Sequence, residues 1–238
     1  MVSGQQTAGN RETVGPVADH GGLMLRVDGS RPLSAETVSE VGAVCDRAED
    51  GDTSGFVIIY LSGVPVPECP GGLSVALVSK WERAMRRLER LPAVTIAVAE
   101  GDCGGSALDA LLAADYRIIP AGAKLVVPVV AGATWPGMAL YRLARQAAGA
   151  AQARRAALFG TPIGAAEALA MGLIDEAADN VTSSAEKAME VAAAAVGAEL
   201  AIRRQLVLEA PATTFEDALG THLAACDRAL RRAATGAA

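Results

Sequence analysis

The sequence predicts an α/β domain, and three observations carry that prediction. Residues 56–61 and 93–99 are short stretches, rich in β-branched side chains and apolar on both alternating faces, the pattern of strands covered on both faces. Between and beyond them apolar side chains recur at helical spacing, as in Leu77, Trp81, Met85 and Leu88. The second run also passes through Gly101, Gly104 and Gly105 directly into the Ala- and Leu-rich stretch 107–114. A strand, a tight turn and a buried helix therefore follow one another without a spacer.

Taken in order, residues 1–20 are polar, rich in Gly and Gln and without periodicity, and are expected to form a mobile arm. Residues 23–27 alternate as a strand, Gly29 turns the chain, and Ser34 is placed to cap a helix. That helix carries Val38, Val41, Val44, Cys45 and Ala48 on one face. Strand 56–61 runs into SGVPVPECPGGLS, residues 62–74, a loop stiffened by its prolines. In the next helix an apolar stripe lies beneath Lys80, Arg83, Arg86, Arg87 and Arg90, which read as a solvated basic face. Residues 124–130 suit a further strand, Gly172 suits a helix C-cap, and 184–208 and 215–232 suit helices. No repeat or linker divides the chain. The expected organisation is the arm, 1–20, a core, 21–180, and a C-terminal helical region, 181–238.

At 238 residues the chain is long enough for one domain burying about 70–75% of the surface its unfolded form exposes. A formal charge of −6 argues against a general nucleic-acid binder, which needs a basic surface. No uncharged apolar run approaches the roughly 20 residues that span a membrane. Cys45, Cys69, Cys103 and Cys226 are scattered without CxxC spacing, and no secretory signal pattern precedes the core. Reduced cysteines in a cytoplasmic protein are therefore expected. Asp and Glu show no metal-ligand spacing and GDCGGS lacks the Lys of a phosphate loop, so no metal and no nucleotide or redox cofactor is expected.

The chemistry is expected at the glycine turn. A backbone N–H at or near Ser106, in the first turn of a helix, has no carbonyl one turn back. With the helix dipole behind it, such a group binds developing negative charge. The segment 91–119, LPAVTIAVAEGDCGGSALDALLAADYRII, resembles the corresponding turn of the crotonase superfamily, the enoyl-CoA hydratase/isomerase fold. So does 155–178, RAALFGTPIGAAEALAMGLIDEAA, with the family's Gly turn and closing Gly-Leu-Ile-Asp strand. ATWPGMALYRLARQ, 133–146, is similar to the loop and helix below the family's acyl pocket. The resemblance spans residues 23–230. It implies a ββα spiral core of the ClpP/crotonase type and C-terminal helices that pack in a homotrimer or hexamer. It also implies an acyl-CoA thioester as substrate, with CoA as its carrier and no other cofactor.

By that resemblance the thioester oxygen, as it becomes an enolate, sits between the backbone N–H groups of Gly72 and Ser106, with Gly71, Gly104 and Gly105 shaping the turns. The family's Asp after the first donor falls on Leu73, and its aromatic residue before that turn falls on Glu68. Of the two carboxylates with which a hydratase of the family activates water, the first falls on Asp109, one methylene shorter than the family's Glu. The second falls on Val129, just after Pro128, and Trp135 is a further acyl-pocket position. A positioned acid or base is commonly worth about 10² to 10⁴ in rate, so Val129 argues against ordinary water addition. One carboxylate still moves a proton.

Within the superfamily, the short chain, the polar arm, Val129 and the Pro-rich half-site most resemble small enoyl-CoA-hydratase-like proteins of 3,5-dihydroxyphenylglycine biosynthesis for antibiotics. The resemblance implies a hydratase- or dehydratase-like lyase that assists a type III polyketide synthase in forming 3,5-dihydroxyphenylacetyl-CoA. Two alternatives stay open: a non-catalytic acyl-CoA-binding or scaffolding partner of that synthase, and a simple enoyl-CoA isomerase or hydratase. Asp109 also has a plain structural reading, as a carboxylate near a helix N-terminus. Ser106 as a nucleophile would need a histidine, and the chain has only His20 and His222. Cys103 reads either as a thiolate nucleophile or as a small buried residue packing the turn. Arg31, Lys80 and the C-terminal arginines are candidates for contacts to the CoA phosphates.

Overall fold

The computed structural model describes residues 22–51, 55–66, 73–130, 133–134, 137–193 and 198–236. The expected arm, 1–20, lies outside them. The first half of the chain runs β1 (Leu23–Asp28), α1 (Ala35–Glu49), β2 (Phe56–Ser62), α2 (Val75–Leu88), β3 (Val94–Ala99), β4 (Cys103–Gly104), α3 (Gly105–Ala113) and β5 (Tyr116–Pro120). Then come β6 (Lys124–Val126), β7 (Val129–Val130), β8 (Ala133–Thr134), α4 (Ala139–Gln146), α5 (Ala150–Phe159), β9 (Ile163–Gly164), α6 (Ala165–Ala170) and β10 (Glu176–Ala178). The chain closes with α7 (Val181–Ala192), α8 (Ala198–Glu209), a 3-10 turn (Ala210–Ala212) and α9 (Phe215–Gly236).

The frame is a parallel sheet ordered β1-β2-β3-β5-β10. All six residues of β3 are buried because both sheet faces are covered, which is why its sequence is apolar apart from Thr95. Val57, Ile59, Leu61, Ala97 and Ala99 belong to the core shared with α1, α2 and α3. Phe56, Ile58, Tyr60, Ile96 and Val98 belong to a second core shared with α7. Edge strand β1 is covered on one side only, so Leu23, Leu25 and Val27 are buried while Met24, Arg26 and Asp28 are exposed. A small second sheet, β4-β6-β9, holds the chain where it enters α3.

The predicted cap at Ser34 forms, accepting a hydrogen bond from the Thr37 N–H at 3.1 Å. Ser74, not singled out in the sequence, does the same for α2, accepting from Leu77 N–H at 3.2 Å. After α6, the N–H of Gly172 reaches Leu169 O and that of Leu173 reaches Ala168 O, at 3.0 and 2.9 Å, which closes the helix end as its glycine foretold.

Two expectations need correction. Residues 124–130 do not form one strand: β6 and β7 are separated at Val127 and Pro128, where proline has no N–H to continue a ladder. The stretch 184–208 holds two helices, not one. α7 starts earlier, at Val181, under an Asn180 cap and covers the second sheet face, and α8, Ala198–Glu209, adds Leu200 to the same core. A run rich in Ala and Val reads as one helix and hides the break.

One side chain pins α8 to the core. Arg204 donates from Nε to Asp115 Oδ1 at 2.6 Å and from Nη2 to Ala93 O at 2.9 Å, and it also reaches Leu91 O and Asp115 Oδ2. Asp115 in turn accepts from the Thr95 N–H and hydroxyl at 2.8 and 2.9 Å. Arg204→Ala is expected to cost about 2–3 kcal/mol in urea unfolding, less than a fully buried pair because the Asp115 side chain is 26% exposed. Arg204→Lys should recover only part, since an ammonium cannot serve both carboxylate oxygens and both carbonyls at once.

Candidate active site

Two loops meet at the start of α3. The Gly104 N–H donates to Gly63 O at 3.0 Å, which ties the loop after β2 to the glycine turn. The Pro65 ring lies over Gly105. A Cβ on Gly105 would fall 2.6 Å from Pro65 Cγ, and one on Gly104 would fall 3.0 Å from both Val126 O and Val64 Cγ1. Gly105 also has φ +54°, in the left-handed region. The two adjacent glycines thus answer two demands, close approach and a backbone turn that L side chains resist.

The turn delivers Ser106 into the first turn of α3, 3% exposed. No side chain caps this helix, and the N–H at its second position has no intrahelical carbonyl to bond. Gly71 and Gly72, further along the loop from Pro65, lie outside the described residues, as does Trp135. Of the predicted donors, the described structure places Ser106. Val129 enters β7 with its Cα opposite Thr134 of β8.

Asp109 follows Ser106 by three residues, a spacing that puts both on one side of the helix. It is fully buried, at 0% exposure, and its Oδ2 accepts from the Trp81 indole Nε1–H of α2 at 3.0 Å. Across from it, Arg142 of α4 is buried as well. Its Nε donates to Glu89 Oε1 at 2.6 Å and its Nη1 to Glu82 Oε2 at 3.3 Å. Glu82 Oε1 also accepts from the Met138 N–H at 2.8 Å. Burial pulls the Arg142 pKa down, but the charge and hydrogen bond of Glu89 and the charges of Glu82 and Asp109 outweigh it, so it stays above its ordinary value. Asp109 therefore accepts from an indole donor and feels the charge of the Arg142 guanidinium.

Trp81, Glu82, Glu89 and Arg142 are the residues of this neighbourhood that sequence reasoning did not single out. Trp81 was legible as a core residue but not as a donor. Arg142 had a signal: it shares the buried face of α4 with Ala139 and Leu143, where a cation needs a partner.

Among the described residues the nucleophile alternatives find no support. His222 stands exposed on α9, while Ser106 is enclosed in α3. His20 lies outside the described residues. Burial, and secondarily the charge of Asp102, push the Cys103 thiol up to about 12, so hardly any thiolate exists near neutral pH. Among the described residues no three His, Cys, Asp or Glu side chains gather as a metal site, and no helix is long and apolar enough to cross a membrane. Arg31 is exposed in the turn after β1, two residues beyond Gly29, whose missing Cβ leaves room for Gly104 O; Lys80 is exposed on α2.

Residues 31–234 match the profile of the family described as enoyl-CoA hydratase/isomerase. Over 216 residues the chain is 57% identical to a protein of Amycolatopsis orientalis named an enoyl-CoA-hydratase, covering 91% of this chain and 99% of that one. The backbone is similar to the crystal structure of an enoyl-CoA hydratase from Polaromonas sp. JS666, with a TM-score of 0.77 at 21% identity over 90% of this chain and 91% of that one. It is similar also to a hydratase/isomerase family protein from Silicibacter pomeroyi, with a TM-score of 0.73 at 20% identity over 87% and 95% of the two chains. At such identities these two likenesses concern the fold.

Proposed function

This chain belongs to the enoyl-CoA hydratase/isomerase family and has the crotonase fold that its sequence led us to expect, and on that premise we propose that it is a lyase acting on a polyketide-derived acyl-CoA. The observation that carries the reading is a fully buried Asp109 one helical turn beyond the Ser106 N–H, held by the Trp81 indole. The N–H groups of Ser106 and Gly72 take the thioester oxygen as it gains charge, a pair in which each donor is worth about 3 kcal/mol. Asp109 takes the α-proton. The enolate then expels a β-hydroxyl, which receives that proton from Asp109 and leaves as water. This sequence needs one carboxylate rather than two, in keeping with Val129 at the position of the second.

Loss of water in this way serves the aromatisation of a polyketide chain, and the partner in this reading is a type III polyketide synthase making 3,5-dihydroxyphenylacetyl-CoA. Arg31 is the favoured contact for a CoA phosphate because of its place beside the glycine turn. Homotrimer or hexamer formation through α9 is supported by Phe215, Leu219, Leu223 and Leu230, all exposed on that helix. A second reading, a scaffold that holds the synthase product without chemistry, is favoured by the Trp81 bond, which a structural carboxylate would also make.

The two are separated by measuring product formation from malonyl-CoA by the synthase alone, with this protein, and with folded Asp109→Ala. Stimulation by wild type and not by the variant supports the enzyme. Equal stimulation by both would make the protein a binding partner.

A further inference from the structure

We propose that Trp81 is a positioning residue for the proton transfer at Asp109: its indole N–H keeps one carboxylate oxygen an acceptor and holds the side chain at the bearing that the α-proton requires. This role rests on the reading of Asp109 as the base, and it adds to that reading a residue of another helix that acts through the carboxylate.

Two buried groups meet here, and each needs the other. Every residue of α3 is buried, and Asp109 is the one carboxylate among them. A carboxylate taken out of water in this way is costly unless a donor meets it. Trp81 is fully buried as well, and a buried indole N–H needs an acceptor. The bond from Nε1 to Oδ2, 3.0 Å long, answers both needs between helices 28 residues apart in sequence. Packing alone does not call for an indole at this place. An apolar side chain without a polar group fills such a face, as Met85 and Leu88 do on the same helix.

The indole suits the task because it donates only and does not titrate. It favours the ionised form of Asp109, the form that takes a proton, and while the bond lasts the arriving proton goes to the other oxygen. Nor is the donor free to turn. Its ring is packed in the core shared with Ala107, Leu108 and Leu111 of α3. The helix that carries it is capped by Ser74 and tied along its outer side to α4, where Glu82 accepts from the Met138 N–H and both Glu82 and Glu89 accept from Arg142. A working base has to sit within about 0.5 Å of its productive place. A short side chain such as aspartate is brought there by what it bonds to.

The test is exchange of the α-protons of butyryl-CoA in D₂O, followed as a function of pH with wild type, Trp81→Phe and Asp109→Asn. Phenylalanine keeps most of the ring and removes the N–H. Trp81→Phe is expected to lower the maximal exchange rate about 10- to 100-fold, with KM for butyryl-CoA within about twofold of wild type. The acid limb of its pH profile should also move to higher pH, because the ionised carboxylate has lost a donor. Glu82, Arg86, Glu89 and Arg142, the charged groups that α2 and α4 bring to this neighbourhood, are the same in both proteins. Loss of folded protein lowers a rate but moves no limb. A second measurement needs no substitution at Trp81: in protein with isotopically labelled tryptophan, its indole N–H resonance, assigned with Trp135→Phe, is expected to shift through the acid limb in wild type and to stay still in Asp109→Asn.

An unchanged rate and limb in Trp81→Phe, with Asp109→Asn inactive, would overturn the role of Trp81 and leave the base in place. A lower rate with an unmoved limb, or an indole resonance that ignores pH in wild type, would make the indole a packing residue only. Asp109→Asn exchanging as fast as wild type, or wild type no faster than buffer, would remove the base itself and the role of Trp81 with it.

Discussion

Asp109→Asn is expected to lower turnover of an acyl-CoA substrate by about 10² to 10⁴-fold, the usual value of a positioned base. Asparagine keeps the shape of the side chain and offers its amide oxygen to the Trp81 indole, so the hydrogen bond across α2 and α3 survives. What it removes is the ability to take a proton. Steady-state kinetics read the effect, and a melting temperature close to that of wild type assigns it to chemistry rather than to folding. A variant within a few-fold of wild type would make the carboxylate structural.

The second large effect is expected at Gly105. Alanine there must accept φ +54° and a Cβ 2.6 Å from Pro65 Cγ. Backbone strain and the displaced loop together should cost about 1–3 kcal/mol of stability. The consequence for activity should be larger, because moving this turn re-aims the Ser106 N–H, and loss of one such donor costs about 10² to 10³ in kcat. Gly42→Ala is the matched control. Gly42 lies inside α1 with nothing within 4 Å of the added Cβ, so this substitution should stabilise the protein by about 0.5–1 kcal/mol and leave kcat unchanged. Urea unfolding and kinetics on the two variants separate the turn's requirement from a general intolerance of alanine.

Much of this arrangement was legible in residue order alone, for physical reasons. Strand β3 could be read because a strand covered on both faces carries apolar residues on both, Thr95 being the exception that Asp115 satisfies, and α3 because all nine of its residues are buried. The glycine turn was legible because close approach and a positive φ exclude other residues, and the Ser106 N–H then followed from its place in the first turn of the helix, whereas Asp109 was reached through the family resemblance. Less could be read where one sequence suits several packings. The Ala- and Val-rich stretch that became α7 and α8 is one case, and Pro128 between β6 and β7 is another. The partners of Asp109 were hidden because they arrive from helices distant in sequence: Trp81 from α2 and Arg142 from α4. Tertiary contacts of that kind leave no local trace, apart from the oddity of an arginine on an apolar helix face.

The central claim is that Ser106 and Asp109 work as one unit, the N–H receiving the enolate oxygen while the carboxylate moves the α-proton. It is tested most directly by following exchange of the α-protons of butyryl-CoA for deuterium in D₂O by mass spectrometry, a reaction that needs no second carboxylate and no partner. Wild type is expected to accelerate the exchange, and Asp109→Asn to return it to the uncatalysed rate. Exchange no faster with wild type than without protein, or equally fast with both proteins, would contradict the account.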